Sequence, residues 1–233
     1  AMCRPMSFLD HIKRCNNADL GQFEPWFIGR ERAGFLHRDF APVVAERPEL
    51  FVRRNGAWRL DAALDTPDSR TAAVRAFLLD LRERGQFGKL WREEAYPVAW
   101  TFSDVPLMAM ERAAVPWFGV RAFGPHMTGY VRRKDGLHIW VPRRSYTKPT
   151  FPGQLDNTVA GGQPIGIGLH DNLIKECAEE ASIPRKIAEQ AKAVGPVAVL
   201  VGALTAGGKG AYSAALGFAV AIAFFALGMV VMS

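Results

Sequence analysis

Hydrophobic positions along the chain follow three regimes. In the first, short apolar runs are split by turn residues. Pro25–Ile28 and Ala33–Leu36 flank Gly29-Arg-Glu-Arg32, and Leu50–Arg53 and Ala57–Leu60 flank Arg54-Asn55-Gly56. Each pair predicts a β-hairpin, because turn residues between apolar runs fold the chain back, and Asn-Gly suits the left-handed positions of a two-residue loop. Short helices are predicted from Ser7 to about Asn16 and over 38–46. Thr66-Pro67 opens a clearer one: Thr66 can cap it, Pro67 suits its first turn, and Val74, Phe77, Leu78 and Leu81 recur at helical spacing before Gly85. Tyr96–Phe102 predicts a strand, and Leu107–Val115 has helical spacing tightly bracketed by Pro106 and Pro116.

The second regime begins near His126. Met127–Arg132 and Leu137–Val141 flank Lys134-Asp135-Gly136, another hairpin pattern, and Gln154–Val159 predicts a strand leading to Gly161-Gly162. A helix is predicted from Pro184 through Ile187 and Ala191 to about Ala193. In the third regime, 193–233, Lys209 is the one charged residue. Tyr212–Met232 is an apolar run long enough to span a bilayer, so a membrane helix is predicted over 212–232. Val197–Thr205 is too short to span alone and could form the other arm of a helical hairpin. Two readings of this tail stay open: a C-terminal anchor holding a basic body on the cytoplasmic side, or a junction that replaces native sequence.

Composition changes this picture little. A chain of 233 residues, 49% hydrophobic and 22% charged, has room for one large or two small globular domains. Its net charge of +6 suits an acidic partner, whether phosphorylated substrate, anionic lipid or nucleic acid. Cys3, Cys15 and Cys177 lack metal-ligand spacing, and their odd number fits a reducing compartment. No secretory pattern opens the chain, so a cytoplasmic location is expected. No recognition motif points to nucleic acid.

Candidate chemistry lies in GGQPIGIGLHDNLIKECAEEASI, residues 161–183. On a helix Glu176, Glu179 and Glu180 share one face, while Leu173, Ile174, Cys177 and Ala181 fall on the other. Carboxylates crowded together raise one another's pKa, and a hard divalent cation such as Mg²⁺ or Mn²⁺ relieves that repulsion. The bland alternative is a solvated acidic face. Arg132, Arg133, Arg143, Arg144 and Lys148 make a basic surface upstream that is either a solubilising rim or a set of phosphate contacts, since guanidinium pairs with phosphate bidentately.

With Gly161 as the first glycine, the stretch resembles the Nudix box: Gly, five residues, Glu, seven residues, Arg-Glu, an aliphatic, any residue, Glu-Glu, any residue, Gly, an aliphatic. Lys175-Glu176 stands at Arg-Glu, Glu179-Glu180 at the acidic pair and Ile183 at the last aliphatic. The departures are Ile167 for Glu, Lys175 for Arg, Cys177 for the aliphatic and Ser182 for Gly. Together with GYVRRKDGLHIWVPRRSYTKPTFPGQLDNTVAGG upstream, it is similar to the Nudix subgroup related to thiamin pyrophosphokinase. That subgroup carries an accessory N-terminal domain of the DUF4743 kind, and its box reads KEC.EEA without the first Glu.

The resemblance implies an α+β chain. A small mixed α/β accessory domain occupies 6–118, a Nudix α/β/α sandwich lacking its C-terminal part 119–196, and an apolar helical tail 197–233. It implies metal-assisted hydrolysis of a diphosphate bond in a thiamin diphosphate-like compound or nucleoside diphosphate derivative. Glu176, Glu179, Glu180 and the Ala160 carbonyl would bind Mg²⁺ (or Mn²⁺), with Glu179 or Glu180 as base and Lys175 orienting the carboxylates. Arg132, Arg143, Arg144, Gly161 and Gly162 would hold the substrate. The competing expectation is a membrane-tethered module that binds a phosphorylated ligand or a protein without turnover.

Overall fold

The computed structural model describes residues 9–10, 19–148, 151–190, 192–193 and 226–231. They form a mixed α+β structure in two units that the chain enters more than once: Ala1–Trp91, Val98–Trp100 and Pro106–Val120 in the first, Arg92–Pro97, Thr101–Val105 and Arg121–Ser233 in the second.

In the first unit β1 (Phe23–Ile28), β2 (Glu31–His37), β3 (Phe51–Arg54) and β4 (Ala57–Leu60) make one sheet in the order β2-β1-β4-β3. Both predicted hairpins form antiparallel pairs, and β1 runs parallel to β4 with Trp26 opposite Trp58. Asn55 and Gly56 have φ of 52° and 73°, the left-handed pair that closes a two-residue turn without splaying the strands. The short helix α1 (Ala41–Ala45) lies between the hairpins.

Helix α2 (Pro67–Glu83) buries Val74, Phe77, Leu78 and Leu81, the stripe its spacing predicts. Thr66 caps it reciprocally with Ser69, and past its end the Gln86 amide donates to the Leu81 carbonyl while Gly85 takes φ of 88°. Trp26, Phe51 and Phe118 meet ring to ring in the core, and the Trp26 indole donates to the Phe118 carbonyl at 2.7 Å. The buried Glu24 carboxylate is also satisfied. Arg53 donates twice to Glu24, at 2.7 Å each, and the Trp58 indole donates at 2.9 Å.

The predicted helix over 107–115 is instead a strand, β6 (Met108–Glu111), followed by turns. Between two prolines the segment is too short for helical hydrogen bonds to offset nucleation, whereas Met108 and Met110 bury at strand spacing. The strand predicted over 96–102 is β5 (Ala95–Val98), after which the chain turns.

In the second unit β7 (Pro125–Arg133) is central. β8 (Gly136–Ile139) and β9 (Val159–Ala160) take successive parts of one edge, both antiparallel. β11 (Ala226–Val231) pairs in parallel along the other edge, and β10 (Lys192–Ala193) pairs with β11. Helices α3 (Leu169–Ala181) and α4 (Arg185–Ala188) complete the unit. Met127, Val159, Leu173, Ile174, Cys177, Ile183 and Ala188 form one buried cluster.

Three expectations are corrected here. The membrane helix predicted over 212–232 does not hold at 226–231, which lie in the sheet; six apolar residues serve a strand as well as a helix, and pairing with β7 satisfies the backbone. No helix among the described residues is long and apolar enough to cross a membrane. The helix from Pro184 stops at Ala188, and Lys192–Ala193 is extended. The strand expected over 154–159 is reduced to β9, preceded by an isolated bridge between Leu155 and Arg143. The remainder of the predicted N-terminal helix, the apolar arm at 197–205 and residues 212–225 lie outside the described residues.

Arg53 and Trp58 hold the Glu24 carboxyl below its usual range, the Arg53 hydrogen bond contributing most and outweighing the opposing effect of burial. The folded pKa lies below the unfolded one, so this stabilisation is present above the unfolded pKa and is lost as pH falls through the folded value. Glu24→Gln should lower stability by about 1–3 kcal/mol near neutral pH, with the loss shrinking in acid. Urea melts of both proteins across pH check it; a pH-independent difference contradicts the assignment.

Candidate functional site

Helix α3 begins after Gly168 without a side-chain cap, and Asp171 in its first turn complements the positive end of the helix. Its start is fixed from inside. Asn172, fully buried, donates from Nδ2 to the Gly162 carbonyl at 2.8 Å and to Gln163 Oε1 at 3.1 Å. Gln163, also buried, donates from Nε2 to the Ile167 carbonyl at 2.7 Å, so the loop after the glycines is tied to both ends of the turn it makes. The remaining acceptor, Asn172 Oδ1, is buried and finds no partner among the described residues.

These two amides were missed in the sequence. The available signal was position: Asn172 precedes Glu176 by one turn, alongside Leu173 and Cys177, which places both polar residues on the inward side. The buried face of α3 is therefore partly polar. Glu176 is nearly buried, while Glu179 and Glu180 are exposed, so the acidic stripe is divided rather than uniformly solvated.

The glycine run fits against that inward face. A methyl group at Gly161 would overlap the Glu176 carboxyl, and one at Gly162 would overlap the Tyr96 hydroxyl. The Gly161 amide donates to the Pro125 carbonyl at 3.2 Å, and the neighbouring Ala160 amide approaches Glu180 Oε2 at 3.4 Å. The contact between Ala160 and a box glutamate is made by its amide, while its carbonyl is the atom expected as a metal ligand.

Lys175 joins the other carboxylates. Its Nζ lies 3.5 Å from Glu176 Oε1 and 3.4 Å from Glu179 Oε2. Burial raises the Glu176 pKa; Lys175 pulls it down and Glu180 and Glu179 push it up, leaving it above the usual carboxylate range. Burial works against the Lys175 charge, but Glu176 and Glu179 outweigh it and leave that pKa raised. Cys177 is pushed up to about 11 by burial and by Glu176, and its Sγ rests 3.7 Å from Met127 Sδ, so it serves as core rather than as a nucleophile.

The arginines are placed differently. Arg132 is exposed at the end of β7. Arg143 donates to the Gly153 carbonyl at 2.7 Å, and Arg144 forms an ion pair with Asp156. Glu176, Glu180, Ala160, Gly161 and Gly162 are thus brought together, whereas Arg143 and Arg144 brace the loop between β8 and β9.

Three carboxylates on one helix face, one of them with a raised pKa, suit a hard divalent cation in kind. Among the described residues, however, no three His, Cys, Asp or Glu side chains are grouped so as to hold a metal ion. Gathering these oxygens requires the Lys175 ammonium to move from between Glu176 and Glu179, and Glu180 to leave the Ala160 amide.

Two outcomes follow from this geometry. Ser182, at the box's last glycine position, has φ of 53°, a left-handed conformation that strains a residue with a Cβ. Ser182→Gly should therefore raise stability by up to about 1 kcal/mol in a denaturant melt; a loss of stability contradicts this. The Glu176 pKa is raised on folding, so its contribution is fully present below the unfolded pKa and is lost as pH rises through the folded one. The Tm of Glu176→Gln relative to the unmodified chain should be more favourable at about pH 8 than at about pH 4, and the reverse trend contradicts the assignment.

Residues 7–122 match the family described as "Domain of unknown function (DUF4743)". Over 204 residues, 83% of the chain, the sequence is 39% identical to "Nudix hydrolase 20, chloroplastic" of Arabidopsis thaliana, covering 54% of that protein. Over 197 residues, again 83% of the chain, it is 38% identical to "Nudix hydrolase 24, chloroplastic" of the same plant, covering 54% of it. A 115-residue match, 48% of the chain, is 39% identical to "Uncharacterized protein YJR142W" of Saccharomyces cerevisiae and covers 33% of that protein. The chain spans about half the length of the two Arabidopsis relatives. The chain is thus similar over most of its length to proteins named as Nudix hydrolases, and residues 7–122 match the DUF4743 family, in line with the two broader expectations drawn from its motifs.

Proposed function

We propose that the chain is a Nudix-type hydrolase acting on a diphosphate bond of a small phosphorylated metabolite. The substrate class is a thiamin diphosphate-like compound or a nucleoside diphosphate derivative, and the cofactor Mg²⁺ or Mn²⁺. The observation that carries this reading is the fit of the Glu176 carboxyl against Gly161, which seats the acidic helix directly on the backbone of the glycine loop. The names of the two Arabidopsis relatives support it.

Glu176, Glu179 and Glu180 would hold the cation, which when bound polarises phosphoryl oxygens and acidifies a water. Exposed Glu179 or Glu180 accepts the proton released as that water adds to phosphorus and the bridging P–O bond breaks. Lys175, between Glu176 and Glu179 before a cation enters, limits their repulsion and would orient them from the side once displaced. Arg132 receives phosphate oxygens, joined by Arg143 and Arg144 from the braced loop. Gly161 and Gly162 let the loop backbone lie against the Glu176 carboxyl and the Tyr96 hydroxyl, which sets the acidic helix beside the transferred group.

One observation favours a second reading. With Lys175 bridging two carboxylates and Glu180 at the Ala160 amide, the helix is arranged as a neutralised acidic face, which suits a module that binds a phosphorylated ligand without turnover.

Glu180→Gln separates the two. In a phosphate-release assay with Mg²⁺ on thiamin diphosphate and nucleoside diphosphate derivatives, the hydrolase reading predicts turnover that falls about 100-fold or more in the variant, with an unchanged melting curve. Equal turnover by both proteins contradicts it, and metal binding without turnover by the unmodified chain supports the second reading.

A further inference from the structure

We propose that the end of the β7–β8 hairpin and the loop following it form a docking surface for an anionic lipid bilayer. Two independent features meet there. One is apolar: Leu137, Ile139, Trp140 and Val141 are each about half exposed, and Tyr146 and Phe151 expose 76% and 74% of their surface. Apolar groups are usually exposed singly; a run of this length marks a contact surface. The other is charge. Residues 132–148 hold six basic side chains against one acidic, Asp135, a net of +5 in a chain whose net charge is +6.

The shape of the hairpin decides between partners. All four residues of β8 are exposed, although Leu137 and Ile139 point to one side of the strand and His138 to the other. A protein partner adding a strand, or seated on one sheet face, would cover one edge or one side and leave the other apolar groups in water. The headgroup region of a bilayer surrounds an inserted hairpin on every side. It also accommodates rings such as Trp140 and Tyr146, apolar in body and polar at the tip, while the basic residues meet lipid phosphates.

A second copy of the chain fits less well, because it would bring another net +5 against the first. Two of the basic residues also brace the described part of the loop: Arg143 donates to the Gly153 carbonyl and Arg144 pairs with Asp156.

The test is co-sedimentation of the whole chain with phosphatidylcholine vesicles and with vesicles in which a third of the lipid is phosphatidylglycerol. Binding is expected to the anionic vesicles, at least tenfold weaker to neutral ones, and weakened by salt. Two variants strike the two features separately: Leu137→Ser with Ile139→Ser and Trp140→Ser, and Arg133→Glu with Lys134→Glu and Lys148→Glu. Each should weaken anionic binding at least tenfold while leaving the melting temperature unchanged. Equal binding to both vesicle types, or binding that survives either variant, overturns the proposal in favour of another membrane contact. Absence of vesicle binding overturns it as well, whether accompanied by self-association or by capture of single-stranded RNA.

Discussion

The Glu176 carboxyl occupies the space where a side chain at position 161 would stand, and the second unit is organised by that exclusion. Because Gly161 has no Cβ, the loop before α3 can lie against the inward face of the helix. The requirement is repeated nearby: a methyl at Gly124 would meet the Gly161 carbonyl, and one at Gly162 the Tyr96 hydroxyl. Three glycines thus allow three backbone segments to close on one another. The Gly161 amide donates to Pro125, the Gln163 amide to Phe123 and the Ile165 amide to Ala95.

Such packing makes a buried carboxylate tolerable without making it comfortable. Glu176 stands over the apolar cluster containing Leu173, Cys177 and Met127, where ionisation is disfavoured, and Lys175 supplies the compensating charge. The same arrangement connects stability to chemistry. A carboxyl whose ionisation burial disfavours, packed against the glycine loop, gains most from a cation placed beside it.

Much of this was legible in the residues. Asn55-Gly56 specifies its turn, and Thr66-Pro67 with Gly85 delimits α2, because these effects act within a few residues. The box spacing located α3 and its glutamates. The buried role of Asn172 was signalled only by its helical position one turn before Glu176, and that of Gln163 not at all, since only the folded loop turns it inward. Leu107–Val115 and Ala226–Val231 misled for another reason. Their apolar spacing is compatible with helix or strand, and pairing with distant segments decides between them. The division of labour among the arginines was also hidden, because Asp156 and the Gly153 carbonyl reach Arg144 and Arg143 only once the loop has closed.

The most direct test of this account is amide hydrogen exchange of the segment 159–163 in the unmodified chain and in Gly161→Ala. If the absence of a side chain at 161 is what lets the loop close on Glu176, the added methyl should cost about 1–3 kcal/mol locally. Exchange at 160–163 should then accelerate by roughly an order of magnitude or more, while the amides of α2 in the first unit stay unchanged. Identical protection of 160–163 in the two proteins would contradict it.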